Sequence, residues 1–402
     1  MFTAPPAVTQ APWLQLAGNP ATTAAVLTLL DTVDATALRR LHPAVAAVIS
    51  ALPWCDQTSN VVDVVRWRAA FPAALGAQLT RLDRTPAAIA AALAGLTYLD
   101  LSECEDDVTD EIICLLPPSL QTLNILGCNG LTDAASFAHL PALAILDCSY
   151  TKIRNAAIAT LPPSLQVLRA RFHCVLAGVE DFRHLVALRT LEYEQCGVCI
   201  RGTRLPSSLE DLMLVCIHIQ ARAAPLAHLT ALRTLCLELC RLPPDVLATL
   251  PPSIESLVLQ GCVGLPESSF SCHPPLPVLR SLSCGGSDLG TAMIATLPPS
   301  LVDVEISGYT NHLGQTTSVA AFPAHMPALA TLRLCRVAIG NVTIACLPAS
   351  LTQLTLEHCV ALTPAASLDH LVNLTSLNCT DTPLAPSTLA ACRARGCAII
   401  GP

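Results

Sequence analysis

Residues 116–160 read LPPSLQTLNILGCNGLTDAASFAHLPALAILDCSYTKIRNAAIAT, and the phrase that opens this stretch returns along the chain. Leu-Pro-(Pro)-Ser and its close variants start at Leu116, Leu161, Leu205, Leu250, Leu297 and Leu347, at intervals of 45, 44, 45, 47 and 50 residues. A nearly constant period of this size is the mark of an array of small units, each too small to bury its own core. Each unit also splits in two, because LPPSLQTLNILGCNGLTD and LPALAILDCSYTK both carry Leu-x-x-Leu-x-Leu or a close variant of it.

The first apolar residue of each half falls at Leu96, Leu120, Leu143, Leu165, Leu188, Leu209, Leu232, Ile254, Leu279, Leu301, Leu329, Leu351 and Leu374. This gives about thirteen copies over residues 93–402. Within a copy the first, fourth and sixth residues face the core, and the third, fifth and seventh face the other side of a short strand. The prolines end each connecting segment, since proline lacks the N–H a helix needs and drives its predecessor into extended geometry.

The motifs LDLSECEDDVTD, LNILGCNGLTD and LTLEHCVALTP, at residues 99–110, 123–133 and 354–364, resemble the cysteine-containing class of leucine-rich repeats. The resemblance covers about three quarters of the chain. It implies an α/β leucine-rich-repeat solenoid, a curved parallel sheet with short helices and loops on its convex side. It also implies a recognition scaffold that binds a protein on the concave face.

Nine of the 20 cysteines follow the same register. Cys104, Cys128, Cys196, Cys240, Cys262 and Cys359 occupy the ninth position, and Cys148, Cys284 and Cys379 the sixth, so both sets are expected to point inward as thiols. A structural zinc needs four converging ligands. Cys196-x-x-Cys199 has no second such pair, and the histidines His139, His184, His228, His325 and His370 recur too far apart to share a metal. We expect no metal and no cofactor.

Apolar residues make up 52% and charged residues 13% of the 402, and mean hydropathy is +0.54, so a folded chain is expected. No uninterrupted apolar run reaches the roughly 18 residues of a membrane span. Net charge is −8 and the pI is near 5.7, which argues against nucleic acid as a partner; Lys152 is the only lysine, the other 21 basic residues being arginine, as a bias toward GC-rich codons produces. No phosphate loop, zinc-protease or nucleophile-elbow motif occurs, and the acidic run Asp106, Asp107, Asp110 and Glu111 suits a helix start. The expectation is therefore a monomeric, non-enzymatic protein of the cytoplasm or nucleus. The competing expectation is an extracellular surface protein similar to the repetitive surface proteins of protists.

On the open face we select Asp147, Arg169, Arg171, Glu192, Glu194, Asp211, Glu238, Asp303, Glu305 and Arg333 as candidate protein-binding residues. Opposite charges on neighbouring strands are within pairing distance, so part of this set is expected to neutralise itself.

Residues 1–92 lack the repeat and show helical spacing instead. Helices are expected around residues 24–30 and 34–48, with Asp31 or Asp34 as a cap, and again over 60–79 with Trp67 and Phe71 on one face. One reading is a terminal cap for the exposed end of the array. The segment AVLTLLDTVDATALRRLHPAV, residues 25–45, also resembles a degenerate F-box. That resemblance implies that Val26, Leu27, Leu30, Leu38, Leu41 and Val45 contact a Skp1-like adaptor of a ubiquitin ligase while the repeats hold its substrate. Pro43 interrupts the second helix of that pattern.

Overall fold

A computed structural model describes residues 31–51, 53–171, 181–194, 199–200, 204–219, 226–242, 250–265, 276–287, 294, 296–308, 318–319, 322–323 and 326–401. Two compact units are formed, residues 1–173 and 174–402. Val26, Leu27, Leu30, Cys174, Cys196 and His325 lie outside the described residues.

The first unit contains strands β1 (Cys55–Val61), β2 (Gly76–Leu79), β3 (Tyr98–Asp100), β4 (Thr122–Asn124), β5 (Ile145–Asp147) and β6 (Val167–Ala170). They pair in parallel in sequence order from β1 to β6. The second unit contains β7 (Thr190–Glu194), β8 (Cys199–Ile200), β9 (Asp211–Val215), β10 (His218–Ile219), β11 (Thr234–Glu238), β12 (Ser256–Gln260) and β13 (Ser281–Gly285). It continues with β14 (Asp303–Ser307), β15 (Ser318–Val319), β16 (Thr331–Cys335), β17 (Ala338–Ile339), β18 (Gln353–Glu357), β19 (Ser376–Asn378) and β20 (Ala398–Ile400). Here β8 pairs with β10 and β15 with β17 as two short side ladders, while the other strands form one parallel sheet in chain order.

The expected alternation holds. Leu96, Leu99 and Leu101 are fully buried, as are Leu120, Leu123 and Ile125 in the next copy, and Leu232, Leu235 and Leu237 in the second unit. Each copy thus places three side chains in a column that continues through its neighbours.

Two side-chain devices tie neighbouring copies together, and a third sets the length of the strands. In five of the six Leu-Pro-(Pro)-Ser phrases the serine donates to the carbonyl of the first leucine one copy earlier: Ser119 to Leu96, Ser164 to Leu143, Ser208 to Leu188, Ser253 to Leu232 and Ser350 to Leu329, at 2.7–2.8 Å; Ser300 instead donates to Leu276 O at 3.4 Å. The prolines set the turn for this bond, with Leu120 N–H reaching Pro117 O at 3.0 Å and Leu165 N–H reaching Pro162 O at 3.1 Å. The phrase is therefore a clasp between copies as well as a helix stop.

The ninth position forms the second device. Cys128 donates to Leu101 O at 3.4 Å, Cys240 to Leu214 O at 3.4 Å, Cys262 to Leu237 O at 3.1 Å and Cys359 to Leu334 O at 3.3 Å, each acceptor being the sixth residue of the preceding copy. Ser287 and Thr382 substitute for cysteine and bond Leu259 O and Leu356 O in the same way. The described cysteines of the sixth and ninth positions are buried, as expected. Burial pushes the Cys104 and Cys128 thiols up to about 12 and Cys359 up to about 11, because the core cannot solvate a thiolate.

The third device sits at position five. Where it is Asp or Asn, the side chain accepts the N–H of position seven: Asp100 from Ser102 at 2.9 Å, Asn124 from Leu126 at 3.1 Å, Asp147 from Ser149 at 3.0 Å and Asn378 from Thr380 at 3.1 Å. The ladder then loses that donor, which is why β3, β4, β5 and β19 have three residues while β9, β11, β12 and β14 have five.

The segment before residue 93 departs from the expectation of an all-helical region. Helices α1 (Thr32–Leu41) and α2 (Pro43–Ala51) are present, and Asp31 caps α1 by accepting Asp34 N–H at 2.7 Å. Pro43 divides them by starting α2, a position where its missing N–H costs nothing. The helix expected over 60–79 is only α3 (Val64–Ala70), and β1 and β2 flank it as members of the sheet. Pro72 stops the helix, and Gly76 lets β2 approach β1 closely, since a Cβ there would stand 2.2 Å from Cys55 Sγ. Trp67 and Phe71 share one face as expected, with ring centroids 6.1 Å apart.

α1 is tied to this beginning of the sheet. Thr32 N–H reaches Asp56 Oδ2 at 2.7 Å, and Trp67 Nε1–H reaches Thr32 Oγ1 at 3.1 Å. Arg68 gathers backbone carbonyls, Ala92 O at 2.6 Å and Ala74 O at 2.8 Å, with Pro72 O and Ala94 O at 3.2 Å. This places a guanidinium at the carbonyl end of α4 (Pro86–Leu93), where the helix dipole favours it.

Candidate functional site

The odd positions of the strands form an open face in each unit, and the selected residues are distributed between the two. In the first unit Asp147 lies opposite Arg169 in register on β5 and β6, as expected for a neutralising pair of strands. The Asp147 carboxylate also holds the Ser149 N–H, so part of its role is structural. Arg171 follows β6, its N–H bonded to Ser149 Oγ at 3.1 Å. Tyr98 heads the face on β3, its phenol pushed up to about 12 by burial and by the nearby Asp100 carboxylate.

In the second unit Glu192, Asp211, Glu238, Asp303, Glu305 and Arg333 all lie on the open face, each half-buried. Arg333 Nη1 is 3.4 Å from Asp303 Oδ1, joining position five of β16 to position three of β14. Glu305 and Arg333 are register partners on those strands. Asp211 Oδ2 accepts from Thr190 Oγ1 at 3.4 Å, and Glu238 Oε1 accepts from Cys236 Sγ at 3.4 Å.

Glu194 corrects an expectation. It was selected as a face residue accessible to a partner, but it is 3% exposed. It pairs with Val215 at the carboxyl end of β7, where both residues are covered. A seventh position lies at the end of the strand, where side-chain alternation no longer fixes exposure.

Two features were overlooked in the sequence. The second positions of successive copies read Arg189, Glu210, Arg233, Glu255 and Arg280, an alternation of charge along one edge. Arg189 pairs with Glu210, and Arg233 Nη1 with Glu255 Oε1 at 2.6 Å. Reading position two as the fifth was read would have revealed it. The other feature is the apolar run Met213, Cys236 and Val258 at the fifth position of β9, β11 and β12, in direct register.

The eighth position closes most of the described turns in the left-handed conformation: Gly127 at φ 74°, Tyr150 at 58°, Cys216 at 56°, Leu239 at 52°, Gly261 at 62°, Gly286 at 65°, Arg336 at 54°, His358 at 53° and Asp381 at 50°. Among the described residues no group of three or more His, Cys, Asp or Glu is arranged to hold a metal ion. No helix among them is long and apolar enough to cross a membrane.

Solved structures with this arrangement of parallel strands and short connections include an internalin from Listeria monocytogenes, 15% identical, covering 79% of this chain and 88% of that one with a TM-score of 0.50. The chain has the leucine-rich-repeat fold. Also similar are the functional domain of InlJ from Listeria monocytogenes, described as including a cysteine ladder (16% identity, 83% of this chain, 64% of that chain, TM-score 0.49), and a leucine-rich-repeat protein from Leptospira interrogans (16%, 96%, 97%, 0.49). No protein-family model and no curated protein sequence matches this leucine-rich-repeat chain. At these identities the likeness concerns the fold.

Proposed function

We propose that this leucine-rich-repeat chain is a non-catalytic scaffold that recognises a partner protein on the open, concave face of its sheet. The observation that carries the reading is the register: strand after strand holds its first, fourth and sixth side chains in the core and leaves the third and fifth partly in solvent, Asp100 and Cys236 being the buried exceptions, so a row of changeable residues stands on a fixed frame. Such a frame suits recognition because substitutions at odd positions leave the core untouched. The residues offered for contact are Asp147, Arg169 and Arg171 in the first unit and Glu192, Asp211, Glu238, Asp303, Glu305 and Arg333 in the second.

The amino-terminal helices are read as a cap rather than an F-box. The bonds from Thr32 and Trp67 fasten α1 to the first strands, Val45 is buried and Leu38 half-buried, which leaves Leu41 as the exposed member of the described adaptor-type residues.

The test is chemical cross-linking of the full chain, used as bait, with mass-spectrometric mapping of the contacts. Cross-links should fall on odd strand positions, and Arg169→Glu or Glu305→Lys should weaken capture about tenfold or more, the scale of losing one favourable interfacial charge contact. Capture that survives both changes but is lost on altering Arg393 and Arg395, in and at the end of the helix Pro386–Ala394, would move recognition to the helical side. Binding of a purified Skp1-like protein to the full chain would restore the F-box reading.

A further inference from the structure

The fifth-position run Met213, Cys236 and Val258 interrupts an otherwise polar face. The three residues are register partners on β9, β11 and β12, so neighbours stand about 4.8 Å apart; Met213 and Val258 are half-buried and Cys236 between them is buried, which leaves the outer two as the accessible members. Just past the strand ends, Leu239 and Val263 are 61% and 47% exposed. Leu239 occupies the left-handed eighth position at φ 52°, where glycine stands in the next two copies as Gly261 and Gly286. Among the described eighth positions it is the one aliphatic side chain. Gly261 makes room for it, since a Cβ there would stand 2.7 Å from Leu239 Cδ2. The left-handed backbone belongs to the repeat, being shared by Tyr150, Cys216, Arg336, His358 and Asp381; what sets Leu239 apart is the exposed aliphatic side chain it presents there.

The rim of this patch is acidic. Glu192 is the register partner of Met213 on one side, Asp211 lies two residues before it, and Glu238 two residues after Cys236. On β7, β9, β11 and β12 no third, fifth or seventh position is basic. The nearby arginines at position two, Arg189 and Arg233, are already paired with Glu210 and Glu255. Arg241, on the turn after β11, is the basic residue nearest Leu239 in sequence.

Resting on the scaffold reading above, we propose that this patch receives an extended segment of a partner protein in which an apolar side chain is flanked by lysine or arginine. Charge complementarity selects that occupant: the apolar side chain covers Met213, Val258 and Leu239, and the flanking cations meet Glu192, Asp211 and Glu238. The stripe spans about 10 Å across three strands, the length of about three residues of extended chain. A second copy of this protein is a poor occupant, because the same patch on it brings a second acidic rim into the contact.

The experiment is selection of a displayed random-peptide library on the full chain, followed by binding measurements with the enriched peptides as fluorescent probes. Enriched sequences should carry an apolar residue between basic ones. Their affinity should fall at least about tenfold in Glu192→Lys/Glu238→Lys and in Met213→Ser/Leu239→Ser, and it should weaken with added salt for the parent chain. Both variants should melt as the parent does, and Glu192→Gln/Glu238→Gln provides a milder charge change if the reversal disturbs folding. Enriched peptides that are acidic or uncharged, or that bind all these variants unchanged, overturn the proposal. If binding instead depends on Glu305 or Arg169, the proposal falls and the scaffold reading stands, whereas enrichment of no peptide on the parent chain counts against both. Self-association of the parent that the same substitutions abolish would also overturn it, by making the patch a contact between copies.

Discussion

Replacing Thr382 by valine tests whether the ninth position acts as a hydrogen-bonded clasp or merely as a small buried filler. Thr382 is 6% exposed, and its hydroxyl donates to Leu356 O while accepting the Cys359 N–H at 3.2 Å. Both partners belong to fully buried residues, so water does not replace the lost hydroxyl. Valine keeps the shape and removes both bonds. An unsatisfied buried polar group costs about 1–3 kcal/mol, so two together give a loss of about 3 kcal/mol, toward the lower part of the summed range because the strand ends can relax.

Serine is the control. Thr382→Ser keeps the hydroxyl and removes a methyl group, for a cost of about 1 kcal/mol. Urea unfolding of the full chain should rank parent, serine and valine in that order. Amide exchange at Cys359 should quicken about a hundredfold in the valine variant, the equivalent of about 3 kcal/mol in local opening. If valine and serine variants agree within about 0.5 kcal/mol, the clasp is energetically idle and the ninth position is a question of volume alone.

Leu239→Gly should stabilise the fold by up to about 1 kcal/mol in thermal melts, because it relieves the left-handed penalty of an exposed non-glycine residue. Gly261→Ala should do the reverse, since φ is 62° and the added Cβ meets Leu239. Arg68→Met removes donors from the carbonyls of Ala92 and Ala74 and should cost about 3 kcal/mol in urea unfolding, the scale of charge-assisted bonds partly screened by water. Stability should decline as pH rises from about 9 toward 12. The folded state holds the Cys104 and Cys128 protons up to about 12 against an ordinary 9.0, so the unfolded chain binds fewer protons across that window and becomes favoured; equilibrium unfolding at stepped alkaline pH measures it. At mildly alkaline pH, iodoacetamide should label the exposed Cys114 and Cys346 long before Cys128, and mass spectrometry reads the order.

The repeat itself was legible because its cause is local. Leucines at the first, fourth and sixth places, a small polar or thiol side chain at the ninth and proline at the turn are each required by the geometry of one copy, so they recur in one-dimensional spacing. The inward direction of Cys128, Cys262 and Cys359 could be read for the same reason. Positions three and five could be assigned to the open face, and all the selected residues of that kind lie there.

What the tertiary structure decided depends on groups from different copies meeting. That Ser119 clasps Leu96, that Thr382 serves both Leu356 and Cys359, and that Asp147 is partly occupied by Ser149 are facts of register and turn geometry, which composition does not contain. Glu194 is buried at the end of its strand, where side-chain alternation no longer fixes exposure. β2 escaped notice because alanine fills places where the later copies have leucine: Ala74, Ala77 and Leu79 are buried at the first, fourth and sixth places, and Leu79 O accepts the Cys104 thiol as in the later copies, while Gly76 gives the strands room to approach.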